Sequence, residues 1–169
     1  MPPPDETEFR SLRAQLTPTA CVFERALLSR CAACSMARPG LLAEREMVGC
    51  GSPAASARCS AYRDRLRANA LFALRIDAAG PWPFGKEIRL QCGGLIGLQQ
   101  ALYAREPVAE DREDAQEFVT DPVPGQPLVA DVDALLSAAL AAHGSPEALP
   151  YSQIMRAVVG YSPRRRVPR

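Results

Sequence analysis

The sequence predicts an all-α fold, a small cysteine-rich helical domain with a C-terminal helical hairpin. Apolar residues recur every three or four positions in most segments, which is the period of a helix. Most prolines and glycines fall between those segments, where they start and end helices. A third observation is that five of the six cysteines fall between positions 21 and 59, which indicates a metal or redox site in one part of the domain.

The length and the start of the chain bear on its compartment. A chain of 169 residues can bury a core of its own without disulfides. Its first residues have neither a basic nor an apolar segment of the secretory type, and no apolar run approaches the length of a membrane span. We therefore expect a cytoplasmic protein without a membrane partner. In that reducing compartment, clustered cysteines more often bind metals or act as catalytic thiols than form structural bridges.

The charge pattern argues against a general affinity for nucleic acid. The net charge is +1, and Lys86 is the single lysine among positive charges that are otherwise arginines. The stretch 105–121 is acidic and the chain ends in four closely spaced arginines, which we interpret as a solvated face and a frayed tail. No small-molecule substrate is indicated. The expected partner is another protein that exchanges electrons or assembles metal clusters.

The chain divides into five predicted segments. A Pro-containing acidic stretch separates the cysteine-rich part from the C-terminal helices, and a basic tail closes the chain. The segments are 1–18 (N-terminal segment), 19–104 (cysteine-rich helical domain), 105–127 (acidic linker), 128–161 (helical hairpin) and 162–169 (basic tail).

Two helices are predicted at the start of the chain. A short first helix ends at Thr17-Pro18, and its apolar stripe is Phe9, Leu12 and Leu16. A second helix is predicted to begin with Thr19 as N-cap, and its apolar face is Val22, Phe23, Ala26 and Leu27. Cys31 and Cys34 extend that face if the helix continues, and lie in its C-terminal loop if it ends there.

The next predicted elements are a short helix and a long one. After a turn at 38–40, the spacing of Leu41, Leu42, Arg45 and Val48 predicts a short helix that ends at Gly49. Cys50 then lies in a loop between two glycines. Ser52-Pro53 is typical of an N-cap followed by the first helical residue, and a long helix is predicted from there to about Asp77 with Cys59 facing the core.

Helical periodicity returns after the stiff connector 81–85. An apolar stripe runs from Ile88 to Tyr103, and Gly93 and Gly97 belong to a second stripe of small residues that would let another helix pack closely. The alternative is a strand over 87–91 that turns into a helix at 95. The C-terminal hairpin is predicted from two further apolar stripes, over 129–140 and 154–159, separated by a stop at Gly144.

Four cysteines form the candidate metal site. Cys31 and Cys34 are separated by two residues, Cys50 follows after fifteen more and Cys59 after a further eight. Iron-sulfur clusters take cysteine ligands almost exclusively and tolerate irregular spacing, so we expect an iron-sulfur cluster of the four-iron four-sulfur type. Zinc is the alternative, although structural zinc sites prefer two tight cysteine pairs. A metal-free cysteine core is the third reading.

The other two cysteines are expected to be packing residues. Cys21 precedes Cys31 by ten residues and would lie on another side of an uninterrupted helix, and Cys92 lies in a later apolar stripe. Either could serve instead as an additional ligand. A further reading makes Cys92 one half of a thiol redox switch with a cysteine of the 21–59 segment.

No motif for catalysis accompanies these thiols. The single histidine, His143, lies at a predicted helix end, and the chain lacks nucleotide-binding loops and hydrolase motifs. Cys31–Cys34 follows a helix and does not begin one, which disfavours thioredoxin-like chemistry. The sequence thus predicts a non-enzymatic iron-sulfur protein for electron transfer, cluster delivery or redox sensing. The alternative is an interaction or regulatory module with structural zinc or a metal-free cysteine core.

Overall fold

The computed structural model describes residues 6–42, 44–77, 80–103 and 126–163. In these residues the helices are α1 (Glu6–Leu16), α2 (Glu24–Leu28), α3 (Pro53–Leu74), α4 (Phe84–Tyr103), α5 (Val132–His143) and α6 (Tyr151–Gly160), with a 3-10 turn over Pro146–Ala148. Two strands, β1 (Ala37–Leu42) and β2 (Arg45–Cys50), form an antiparallel hairpin. Most of the predicted acidic linker and most of the basic tail lie outside the described residues.

The β-hairpin corrects the all-α prediction. The segment predicted as a helix ending at Gly49 is extended, and Ala37 pairs with Cys50 while Leu42 pairs with Arg45. The helical interpretation failed because Leu41, Leu42 and Val48 fit either period in so short a segment. Glu44 takes the turn with a φ of 65°, a conformation that its residue type does not signal. The fold is therefore mostly helical with one small sheet.

The two long helices are confirmed. Ser52 caps α3, since its Oγ accepts the Ala55 N–H at 3.2 Å, and Pro53 occupies the first helical position. The helix ends at Leu74, three residues before the predicted end, and Arg75 follows in the left-handed region. Helix α4 runs through all of 84–103, so the alternative strand over 87–91 does not form.

The C-terminal helices form as predicted, but α6 packs chiefly against α4 and not against α5. The glycines of α4 explain this contact. A Cβ at Gly93 would lie 2.6 Å from the Cα of Val158, and one at Gly97 would lie 2.9 Å from the Cα of Ile154. The stripe of small residues thus lets the two backbones approach closely, as expected for a glycine contact between helices.

The buried core takes side chains from α2 through α6, and therefore from both the 19–104 and the 128–161 segments. Tyr62 is among its largest fully buried side chains, and the Tyr62 hydroxyl donates to the Gly94 carbonyl at 2.7 Å. Buried Gln91 accepts the Ala26 N–H and donates to Glu87, which Arg63 also contacts, so these polar groups are paired. Within the described ranges, no helix is both long and apolar enough to cross a membrane.

Candidate metal centre

Four cysteines line one small cavity between the β-hairpin and the starts of α3 and α5. They are Cys21, Cys34, Cys50 and Cys59, and each comes from a different segment of the chain. All four thiols are half-buried. The rest of the lining is mostly apolar, and Asp133 is the charged residue among the side chains that border it. Three of the predicted ligands therefore share a site with Cys21, which the sequence analysis treats as a packing residue.

The loop after α1 brings Cys21 to the end of β2. The Cys21 N–H donates to the Val48 carbonyl at 2.9 Å, and the Cys50 N–H donates to the Thr19 carbonyl at 2.8 Å. The loop thus extends the hairpin by one short bridge, in which Ala20 lies opposite Gly49. This pairing holds two of the thiols beside each other at the end of the sheet.

Cys34 reaches the cavity from an extended segment that follows α2. The Ala33 N–H donates to the Val129 carbonyl at 2.9 Å, and the Ser35 N–H donates to Oδ1 of Asp131, the N-cap of α5. The N-terminal end of α5 is therefore tied to the residues on either side of Cys34.

Cys59 enters the cavity from α3, two turns after the N-cap Ser52. The neighbouring Arg58 donates from Nη2 to Oδ1 of Asp133 at 2.7 Å, which joins α3 to the first turn of α5. This ion pair lies beside the thiols, and its carboxylate side faces the cavity.

Burial favours the protonated form of three of these thiols when no cation is bound. The pKa of Cys21 is raised to about 11 and that of Cys59 to about 12, from an ordinary value of 9.0, chiefly by burial. Repulsion from the neighbouring thiolates is a smaller cause of both increases. Burial also raises the pKa of Cys34. A soft cation among the sulfurs would reverse this cost, and its binding would release protons.

Backbone amides act on two of the sulfurs. The amide of Phe23 lowers the pKa of Cys21, and the amides of Met36 and Asp133 lower the pKa of Cys34, in opposition to burial. Amide groups near a sulfur favour the thiolate. Donors of this kind also stabilise and tune metal-bound sulfur.

Cys31 lies outside this cavity. Helix α2 ends at Leu28, and Arg30 turns the chain with a φ of 59°. The chain then runs extended through Ala32, which bridges to Val129. Side chains alternate along an extended chain, so Cys31 and Cys34 point to opposite sides. Cys31 is 5% exposed and belongs to the same buried core as Cys92, which is fully buried.

Of the four cysteines predicted as ligands, Cys34, Cys50 and Cys59 therefore line the cavity together with Cys21, and Cys31 does not line it. The helical pattern from Thr19 predicts that Cys21 lies on a helix and faces away from the other thiols, whereas α2 begins only at Glu24. Because Ala20 instead bridges to Gly49, Cys21 lies beside the end of β2. The spacing of the cysteines in the sequence does not indicate that Cys21, and not Cys31, lines the cavity with the other three.

The size of the cavity and the spread of the thiols bear on the type of metal. The cavity has a volume of about 20 Å³, which is room for about one water-sized group. Among the residues described, no three His, Cys, Asp or Glu side chains converge closely enough to hold a single metal ion.

Comparisons with protein-family models, with curated proteins and with solved structures found no match.

Proposed function

We propose that this chain is an iron-sulfur protein in which Cys21, Cys34, Cys50 and Cys59 hold the cluster. The supporting observation is that thiols from four separate segments line one cavity, with no histidine among the lining residues. Four sulfur ligands without nitrogen or oxygen ligands are typical of iron-sulfur clusters.

The surroundings of the cavity favour a negatively charged centre. Backbone amides lower the pKa values of Cys21 and Cys34, and the first turns of α3 and α5 border the cavity through Ala55 and Val132. The positive ends of both helix dipoles therefore lie near the proposed cluster.

Zinc is the second candidate, and the small volume of the cavity favours it. A cavity of about 20 Å³ has room for one ion, although the thiols would have to move closer together to bind it, whereas a cluster requires the lining side chains to move outward. Among the lining side chains, that of Met36 is flexible and is best able to move outward. We favour the cluster, because it requires movement of lining side chains only. Zinc would require movement of the backbone segments that carry the sulfurs, and side chains move more easily than backbone.

The proposed activity is electron transfer, cluster delivery or redox sensing in a cytoplasm, together with a protein partner. Half-buried thiols support this proposal, since a cluster near the surface can exchange electrons or be passed on. In the alternative with zinc, the metal would only join the hairpin to α3, and the protein would act as an interaction module.

The test is anaerobic purification followed by a visible spectrum and by analysis of iron, acid-labile sulfide and zinc. We expect a brown protein with stoichiometric iron and sulfide, lost in Cys59→Ser and retained in Ser56→Ala, a matched change in the same lining. Stoichiometric zinc without iron would replace the leading proposal by the second. A protein that binds neither metal after reconstitution would overturn both.

A further inference from the structure

Asp133 belongs to the lining of the cavity, and an arginine holds its carboxylate. Asp133 lies in the first turn of α5, and its Oδ1 accepts from Nη2 of Arg58 in α3 at 2.7 Å. The Arg58 and Asp133 side chains are 37% and 21% exposed, so the ion pair is partly shielded from water. The carboxylate of a lining residue is therefore already engaged by a cation.

The ion pair is fixed beside the cysteines at both ends. Arg58 directly precedes Cys59 in α3, and the Asp133 N–H donates to Oδ1 of Asp131, the N-cap of α5, at 3.0 Å. Burial and, more weakly, the charge of Asp133 raise the pKa values of Cys34 and Cys59. The carboxylate thus lies within electrostatic reach of two of the sulfurs.

Arg58 gives up a hydrogen bond in this position. Its Nε–H is buried and has no hydrogen-bond partner in the part of the chain that the structure describes. Buried polar groups are almost always paired, so an unpaired donor carries a cost that another interaction has to offset. The ion pair with Asp133 is the interaction that holds the guanidinium there.

We propose that Arg58 determines the metal specificity of the centre by keeping the Asp133 carboxylate out of the coordination sphere. This inference rests on the proposed function and adds the class of metal that the site accepts. Thiolates select soft metals such as zinc and iron-sulfur clusters, whereas carboxylates suit hard cations such as Mn²⁺. With Asp133 bound to Arg58, the anionic ligands that remain in the lining are the four thiolates.

The charges of the pair favour the same result. A free carboxylate beside four thiolates would add to their mutual repulsion, and a hard cation would relieve that repulsion by taking the carboxylate as a ligand. The Arg58 guanidinium offsets the charge of Asp133 instead. Arginine stays protonated in proteins, so this restraint on Asp133 does not depend on pH.

The experiment is a titration of the full-length protein, reduced and freed of metal by a chelator, with Cd²⁺ alone and with Mn²⁺ alone. Thiolate-to-metal absorption reports binding of the soft Cd²⁺, and the paramagnetic resonance signal of the free ion reports binding of the hard Mn²⁺. We expect the wild type to bind Cd²⁺ and to bind Mn²⁺ only weakly. In Arg58→Met the Mn²⁺ affinity should rise roughly ten- to a hundredfold, the scale on which partners of metal ligands alter affinity.

Two controls separate specificity from damage to the fold. Arg65→Met removes another ion pair of α3, with Glu147 at 2.8 Å, and neither of these residues lines the cavity, so both affinities should stay unchanged. The double variant Arg58→Met, Asp133→Asn should bind Mn²⁺ as weakly as the wild type, because the released carboxylate is gone. A general loosening of the fold would not be reversed by the second substitution.

The outcomes for the two proposals are distinct. An unchanged Mn²⁺ affinity in Arg58→Met, or a gain that persists in the double variant, would overturn the role of Arg58 while the wild type still binds Cd²⁺. A wild type that binds neither Cd²⁺ nor an iron-sulfur cluster would overturn the proposed function, and this inference with it.

Discussion

Individual residues decide which thiols meet. The positive φ of Arg30 ends the helical path before Cys31, and the extended chain after it directs Cys31 and Cys34 to opposite sides. Two cysteines separated by two residues would approach each other in a tight loop or on a helix face. Here their backbone conformation gives them separate partners, one in the cavity and one in the core.

The raised thiol pKa values predict a loss of stability at alkaline pH. In reduced, metal-free protein, Cys21 and Cys59 have pKa values of about 11 and 12, above the ordinary 9.0 that applies to the unfolded chain. Because both pKa values are raised on folding, the contribution of these two thiols to the free energy of unfolding is full below pH 9. That contribution is lost as the pH rises through 11 to 12. The urea midpoint should therefore fall over that range.

The matched variant for this prediction is the double substitution Cys21→Ala, Cys59→Ala. Tyr62 and Tyr151, whose pKa values burial also raises, are present in both proteins and contribute equally. The alkaline decline should be smaller in the variant. An identical pH dependence in the two proteins would show that these thiols are not buried as described.

Gly49 is a second residue on which the cavity depends. A Cβ at this position would lie 2.7 Å from Cγ2 of Thr17 and 3.4 Å from the Thr19 carbonyl, both in the loop that carries Cys21. We expect Gly49→Ala to cost roughly 1–3 kcal/mol in the free energy of unfolding, by overpacking, and to weaken metal retention.

The control for this change is two residues away. At Gly51 a Cβ would meet only the guanidinium of Arg38, the end of a flexible side chain. Gly51→Ala should therefore change stability by no more than about 0.5 kcal/mol, as is usual for a surface substitution. Equal losses in the two variants, measured by chemical denaturation, would argue against the pairing of the loop with β2.

At the scale of elements, the contact of α4 with α6 rests on glycine. A Cβ at Gly93 would lie 2.6 Å from the Cα of Val158 and 2.9 Å from the Ala157 carbonyl, and backbone cannot move aside locally. We expect Gly93→Ala to destabilise the protein by roughly 1–3 kcal/mol, despite the better helix propensity of alanine.

The control for this change is Gly85→Ala in the same helix. A Cβ at Gly85 meets no atom within 4 Å, so this change should be neutral or stabilising by up to about 1 kcal/mol. Thermal or urea unfolding of both variants is the measurement, and an unaffected Gly93→Ala would refute the close packing.

The elements differ in how far the sequence could predict them. Helices α3 and α4 repeat their apolar period over more than four turns, and Ser52-Pro53 marks the start of α3, so both could be predicted. The hairpin could not be, since six-residue strands give too few repeats to separate the two periods, and the turn at Glu44 carries no glycine or asparagine. The stripe of small residues in α4 predicted close packing against another helix. The sequence did not indicate that this helix is α6.

At the scale of the whole molecule, the proposed centre joins parts that are distant in sequence. The loop after α1, the segment before β1, the end of β2 and α3 each contribute one thiol. The sequence could predict that clustered cysteines converge and that three of them belong together. It could not predict that Cys21 lies beside these three, because the position of Cys21 depends on pairing between the loop and β2.

This arrangement predicts that metal binding and folding are linked. A ligand that binds only the folded state stabilises it by about 2.7 kcal/mol when its concentration is 100 times its dissociation constant. The metal-loaded protein should therefore unfold at a higher temperature than the apoprotein, and the difference should disappear in Cys50→Ser. Differential scanning calorimetry of both forms checks this, and equal midpoints would show that the four segments are not joined by a metal.

The central claim is that Cys21, and not Cys31, completes the metal centre. The most direct test is the metal content of two single variants, Cys21→Ser and Cys31→Ser, purified anaerobically in parallel with the wild type. The structure predicts that Cys21→Ser loses the metal while Cys31→Ser retains it in wild-type stoichiometry, since only the first lines the cavity. Loss of metal in Cys31→Ser, with full retention in Cys21→Ser, would contradict it.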